Sequence, residues 1–276
     1  MILLIALLSL APQTNIDPLD IVKKSVEANE RNWKISRNYT FTEREEECEL
    51  GSDGSRKKVE SHTYEVTMLE GEPYYRMVQK DDQPLPPKEE KKEQEKLDKS
   101  IREREKETPE QRAKRLEKYD KEREESRKFL REVTDAFTFK LVGEELLEQR
   151  PMWVVEGTPR ADFKGKLREA KAILPKIRGR LWIDQQDMVW ARGELEVIDT
   201  ISFGLALIRI HKGAILKFEN TRVNEEVWLP KRELLHGSAR LAYVKQIAGE
   251  EESTYRDYKK FAVESKITTG EEVKQP

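Results

Sequence analysis

From about residue 137 to residue 261 the chain reads as one strand after another joined by tight turns, and no other feature limits the fold as strongly. The clearest piece is Gly179-Arg-Leu-Trp-Ile-Asp-Gln-Gln-Asp-Met-Val-Trp190. Two runs rich in β-branched and aromatic residues flank a polar turn at 184 to 187, the pattern of a β-hairpin. By alternation Leu181 and Ile183 share a face of the first strand, and Val189, Ala191, Leu195 and Val197 make the apolar side of the second. Arg180, Asp184, Arg192, Glu194 and Glu196 point the other way, and the same alternation puts Trp182 and Trp190 with them, stacked on the arginines. An antiparallel sheet apolar on one side must cover that side with a helix, another sheet or a ligand. What covers it is the functional question.

Asp17-Pro18-Leu-Asp20 supplies one cover: an N-cap acid, proline at the first helical position and an acid in the first turn predict a helix over residues 18 to 33. Leu19, Val22, Val26 and Trp33 recur along it at helical spacing, with Ile21 and Ser25 alongside. Residues 39 to 85 then read as three or four strands turning at 51 to 54 and 70 to 73, with His62, Tyr64, Val66 and Met68 alternating against Thr63, Glu65 and Thr67.

Residues 88 to 132 break the pattern. They are mostly charged with both signs interleaved, the composition of solvent-bathed helices held by i,i+4 pairs. Thr108-Pro-Glu-Gln111 combines an N-cap threonine, a first-turn proline and a capping-box glutamine, so two nearly coreless helices are expected around a break there. An extended charged insertion and a partner-binding coiled coil are the other readings. Residues 167 to 177 fit either a short helix or a strand interrupted by Pro175.

Little in the chain supports catalysis. His62, His211 and His236 lie far apart with no second ligand at metal-binding spacing, and there is no nucleophile elbow, phosphate-binding glycine loop or dinucleotide fingerprint. Asp184 and Asp187 read as turn formers, since a chain this rich in carboxylates brings some pair together by chance. A net charge of −2 within a charged fraction of 38% gives no basic field for nucleic acid. The expectation is a chain that is not an enzyme and needs no cofactor or metal.

Residues 1 to 14 open with an apolar run too short to span a bilayer but of the length of a signal-peptide core, and are read as an export signal; a buried N-terminal strand is the alternative. A single cysteine, Cys48, excludes an internal disulfide, which for an exported chain fits a bacterial periplasm. The apolar run within residues 199 to 213, carrying Phe203, Leu205, Leu207 and Ile208, ends against Arg209, His211 and Lys212. It reads as a buried strand or short helix, or as an exposed loop docking to anionic lipid or covering a ligand mouth.

Five stretches, taken in order, resemble bacterial outer-membrane lipoprotein-sorting proteins of the LolA/LolB-like superfamily. They are Trp153-Val-Val-Glu-Gly-Thr-Pro159, Gly179-Arg-Leu-Trp-Ile-Asp184 with Trp190 beyond, Leu216-Lys-Phe-Glu-Asn220, Val227-Trp-Leu-Pro230 and Tyr255-Arg-Asp-Tyr258. The resemblance implies a mainly β chain with helices (α+β): an open antiparallel half-barrel wrapped around the N-terminal helix, over residues 15 to 264; the charged helical insertion at 88 to 132 departs from the family pattern, and residues 265 to 276 read as a loose tail. The resemblance also implies a non-catalytic periplasmic carrier that binds a lipid or an acylated protein. The candidates for its cavity are Val26, Trp33, Tyr64, Val66, Met68, Phe139, Leu141, Trp153, Leu181, Ile183, Leu195 and Phe218. Phe203, Leu205, Leu207, Ile208, Arg209 and Lys212 are the candidates for a lid or a transient membrane contact. A cell-envelope sensor or scaffold of the same fold, binding a protein partner through residues 88 to 132, is the rival.

Overall fold

The computed structural model describes residues 16–51, 53–203, 208–241 and 245–261; the proposed export signal and C-terminal tail lie outside them. Asp17 caps helix α1 (Pro18–Ser36) by accepting from the Leu19 amide at 2.9 Å, and proline occupies the first turn. Strands β1 (Tyr39–Leu50), β2 (Arg56–Leu69), β3 (Glu72–Lys80) and the short β4 (Gln83–Pro84) follow as a meander. Helices α2 (Pro87–Glu105) and α3 (Pro109–Ala136) make up the charged stretch. The capping box between them is formed: the Gln111 amide donates to Thr108 Oγ at 3.2 Å, and the Thr108 amide donates to Gln111 Oε1 at 2.9 Å.

Strands β5 (Phe137–Leu147) and β6 (Arg150–Pro159) lead to a short helix α4 (Arg168–Ile173) and a 3-10 turn at Leu174–Lys176. The chain continues through β7 (Ile177–Asp184), β8 (Trp190–Val197), β9 (Ile201–Phe203), β10 (Ile208–Ile210), β11 (Ile215–Val223), β12 (Val227–Leu241) and β13 (Lys245–Lys260). All the pairings are antiparallel, in the order β4-β3-β2-β1-β13-β12-β11-β8-β7-β6-β5. β4 and β5 end the sheet without meeting, so it is an open half-barrel. β1 pairs with β13 from Tyr39 opposite Lys260 onward, which joins the N-terminal meander to the C-terminal strands. The apolar segment after residue 199 is the β9–β10 hairpin, laid against the far end of β12, with residues 204–207 outside the described chain.

α1 lies on the inner face. Its Ile21, Val22 and Val26 pack with Val155, Leu181 and Ile183 of the sheet, and two polar contacts fix its position. Trp190 Nε1 donates to Ser25 Oγ at 2.8 Å. Asn32 takes the Trp228 amide at 2.7 Å and donates to the Trp228 carbonyl at 2.7 Å. Trp228 precedes the part of β12 that pairs with β13, so Asn32 completes a main-chain edge that would otherwise be buried unpaired.

Four sequence expectations change. Trp190 faces inward, because the β7–β8 register shifts between Trp182 and Ile183 and Met188 turns with φ 59°, so that Trp190 stands opposite Ile183. Trp182 does stack on Arg192, 4.8 Å from its guanidinium carbon, but it is buried and its Nε1 donates to Glu145. Asp184 is not on a wet face: it is fully buried, accepts from the Gln186 and Asp187 amides, and is held by Arg150 Nε at 2.6 Å and Nη2 at 2.8 Å. Nor is the charged insertion coreless to its end. Phe129, Val133 and Ala136 pack with Ala170 and Leu174, and Leu130 packs on the α1 cluster. These residues recur at helical spacing across the expected boundary at 132, so neither segment alone displays the stripe.

Burial pushes the Asp184 carboxyl up, but hydrogen bonds from Arg150 and the two amides outweigh it and hold the group below the usual aspartate range. Its stabilisation is therefore present above the unfolded-state pKa and lost as pH falls through the folded one. Asp184→Ala should cost about 2–3 kcal/mol, since it removes two charge-assisted bonds of Arg150 and leaves that half-buried guanidinium with Asp187 alone. Urea denaturation at neutral pH measures this, and a cost under about 1 kcal/mol would refute the latch.

Candidate binding groove

α1 covers only part of the inner face. Beside it α3 crosses the sheet, and two hollows lie on either side of α3 Leu130, which lines both. The smaller, about 130 Å³, is lined by Phe129, Leu130 and Val133 of α3 and by residues of β5 to β8 and β11, with Leu174 and Ile177. No side chain in that lining carries a polar group except Trp190, whose Nε1 is already given to Ser25. Two glycines shape it. A Cβ on Gly193 would overlap the Phe218 ring and one on Gly179 a Leu195 methyl, so both rings and methyls sit flat on the strands only because no side chain is there.

The larger hollow, about 540 Å³, lies between the end of α1, the middle of α3 and strands β1–β3 and β11–β13. Its floor is aromatic: Phe41 packs against Tyr258 with ring centroids 5.6 Å apart, and Tyr39, Tyr75 and Trp228 complete the wall with Met68 and Pro230. Its roof is cationic. Arg37, just after α1, and Arg123 and Arg127 of α3 stand 5.8, 4.3 and 5.1 Å from the Trp33 ring centroid, and Arg123 also lies 3.9 Å over Tyr119. Burial pulls the Arg123 pKa down, and the neighbouring Arg37 and Arg127 charges add to the shift.

Of the residues expected to line a cavity, Phe139, Leu181, Leu195 and Phe218 meet in the apolar hollow, and Trp33 and Met68 in the aromatic one. Val26 and Ile183 are fully packed between α1 and the sheet, with Leu141 and Trp153 against them. Val66 is buried, and Tyr64 lies edge-on to Tyr75 at 6.3 Å. On the hairpin side, the side chains of Phe203, Leu205, Leu207 and Ile208 fall outside the described structure, Arg209 is half-buried, and Lys212 is exposed and lines an open hollow of about 490 Å³ with His236. Arg37, Tyr119, Arg123, Arg127 and Leu130 escape a reading of the sequence. Tyr119, Arg123 and Arg127 are spaced i,i+4, a signal that a mostly charged helix also produces by chance.

Further along the inner face, two residues beyond Phe41, Glu43 is 7% exposed. Burial, then the nearby Glu45 charge, pushes its pKa up to about 7, and burial raises Glu233 as well. Tyr255 lies between the two, donating to Glu233 at 3.3 Å. Among the described residues no group of three or more His, Cys, Asp or Glu could hold a metal ion, and no helix is long and apolar enough to cross a membrane.

No family model matches this chain, and no curated protein matches it. Among solved structures it is similar to an outer membrane lipoprotein-sorting protein domain from Vibrio parahaemolyticus, at 8% identity and TM-score 0.37, over 89% of this chain and 95% of that one. It is also similar to a LolA superfamily protein from Nitrosomonas europaea, at 10% identity and TM-score 0.30, over 90% and 94%. A third is the MucA/MucB complex of Pseudomonas aeruginosa, at 10% identity and TM-score 0.26, over 87% and 99%.

Because the folded-state pKa of Glu43 lies above its unfolded value, the native state holds a proton there that the unfolded chain releases. Stability should fall as pH rises from about 4.5 to about 7, by at most about 3 kcal/mol from this group. Glu43→Gln should flatten that slope and raise the melting temperature at pH 8; a slope unchanged by the substitution would contradict the assignment.

Proposed function

We propose that this chain is a non-catalytic carrier that takes an acyl chain of a lipid or lipid-modified protein between α1, α3 and the inner face of the half-barrel. The observation that supports it is the apolar hollow beneath α3, whose lining offers no free polar group. A hydrolytic site needs convergent polar groups in its concavity, whereas an acyl site needs aliphatic and aromatic walls alone. The periplasm, reached through an export signal in residues 1 to 14, is the proposed location.

At about 130 Å³ the apolar hollow is smaller than the roughly 300–1,000 Å³ of ligand sites, while the aromatic hollow beyond Leu130, at about 540 Å³, lies within that range. A chain entering from the aromatic side therefore fills the inner hollow by displacing Leu130, and α3 is the element that yields. α3 is suited to this. Its sequence is largely charged and it touches the sheet through few apolar side chains; its middle is held by ion pairs such as Arg131 with Glu30 and by Arg123 and Arg127 over Trp33, while its end is anchored by Glu132 accepting the Lys166 and Leu167 amides. Burying roughly ten methylenes supplies about 8 kcal/mol, a micromolar affinity without any charged contact. The scaffold reading gains less support, since none of the exposed large apolar side chains among the described residues belongs to α2 or α3.

Mass spectrometry of organic extracts of the purified protein should find acyl lipids in stoichiometric amounts, and Leu130→Trp, which plugs the passage, should lower that occupancy at least about tenfold with the thermal melt unchanged. An extract free of acyl species, or a Leu130→Trp protein loaded as fully as the parent, would refute the site.

A further inference from the structure

The aromatic hollow is roofed by more positive charge than its surroundings neutralise. Arg127 Nη2 pairs with Glu124 at 2.7 Å, and Arg37 lies 4.0 Å from Asp120. Arg123, between them, rests on Trp33 and Tyr119 and takes part in none of the described ion pairs; Glu30, which also lines the hollow, and Glu124 both pair with Arg131, so four guanidinium groups face three acids. Two donors, Arg123 Nη1 and Arg127 Nε, are buried without a hydrogen-bond acceptor. A buried donor left unmade is costly, and guanidinium groups match the oxygens of phosphate in fixed geometry. Both arginines line the hollow, whose opposite wall is Phe41, Met68 and Tyr258.

We propose that this roof recognises the anionic phosphate headgroup of a single-chain or diacyl amphiphile, with Arg123 and Arg127 donating to its oxygens, Arg37 closing the rim, and the chain running past Leu130 into the apolar hollow. The occupant is one anionic headgroup, because Arg37, Arg123, Arg127 and Arg131 against Asp120, Glu124 and Glu30 leave one positive charge. The indole of Trp33 holds the guanidinium groups in place before the headgroup arrives, which lowers the ordering cost of binding. This inference rests on the carrier reading above and adds selectivity to it.

The test compares hexadecyl phosphate, hexadecyl maltoside and inorganic phosphate by calorimetric titration of the full chain, below micelle-forming concentrations. Hexadecyl phosphate should bind at least about tenfold tighter than hexadecyl maltoside, the worth of one charge-assisted hydrogen bond. Arg123→Gln with Arg127→Gln should abolish that preference while keeping the maltoside affinity, and Arg37→Gln, at the exposed rim, should reduce it even if the double variant does not fold. Equal binding of the two amphiphiles by the parent protein overturns the headgroup inference and leaves the carrier reading standing. Binding of neither sinks the carrier reading as well, and inorganic phosphate binding as tightly as hexadecyl phosphate would show a free-anion site instead.

Discussion

The structure depends on one unmet requirement: a sheet that is open at both edges and apolar on its inner face must be covered, and α1 is too short to cover it. Its stripe of Ile21, Val22 and Val26 fills the part of the sheet built from β6 and β7. Ser25 and Asn32 then fix it against Trp190 and Trp228, so α1 cannot slide to cover more. The rest of the face falls to α3, which reaches the sheet mainly through the apolar side chains of its last turns. An inner face half covered by a pinned helix and half by a charged one leaves hollows along the second.

Those hollows differ in polarity along one continuous surface. Under the end of α3 the lining is aliphatic and aromatic; under its middle, the aromatic floor faces three guanidinium groups; past Phe41 the face turns acidic at Glu43 and Glu233. The order matters for an amphiphile, whose chain and headgroup need adjacent apolar and cationic ground. Burial favours the protonated form of Glu43, whose pKa of about 7 leaves that carboxyl only partly ionised near neutral pH. The latch of Arg150 on Asp184 and Asp187 lies at the β7–β8 turn and holds the sheet, leaving the hollows to the helices.

The sheet was legible in the sequence because its signals are local. The capping box at Thr108, the N-cap at Asp17 and the polar turn between β7 and β8 each depend on residues within a few positions. What could not be read depends on register or on distance. Period-two counting assigns Trp190 to the wet face unless the shift after Trp182 is known, and that shift is set by the turn through Met188. Of the strand residues expected to face a cavity, Leu181, Leu195 and Phe218, placed by alternation, line the apolar hollow. The arginine roof was not legible, since Arg37 and Arg123 lie 86 positions apart in the sequence and only the crossing of α1 and α3 brings them onto Trp33. Leu130 was missed because it sits at the apolar end of a helix whose composition elsewhere argues for solvent.

The claim that α3 yields to admit an acyl chain is tested most directly by hydrogen–deuterium exchange of the full chain with and without a saturated lysophosphatidylglycerol. The account predicts altered protection in peptides from the end of α1, from residues 119 to 133 of α3 and around Phe218, with α2 and the β9–β10 hairpin unchanged. Exchange that changes only in the β9–β10 hairpin, or nowhere, would contradict it.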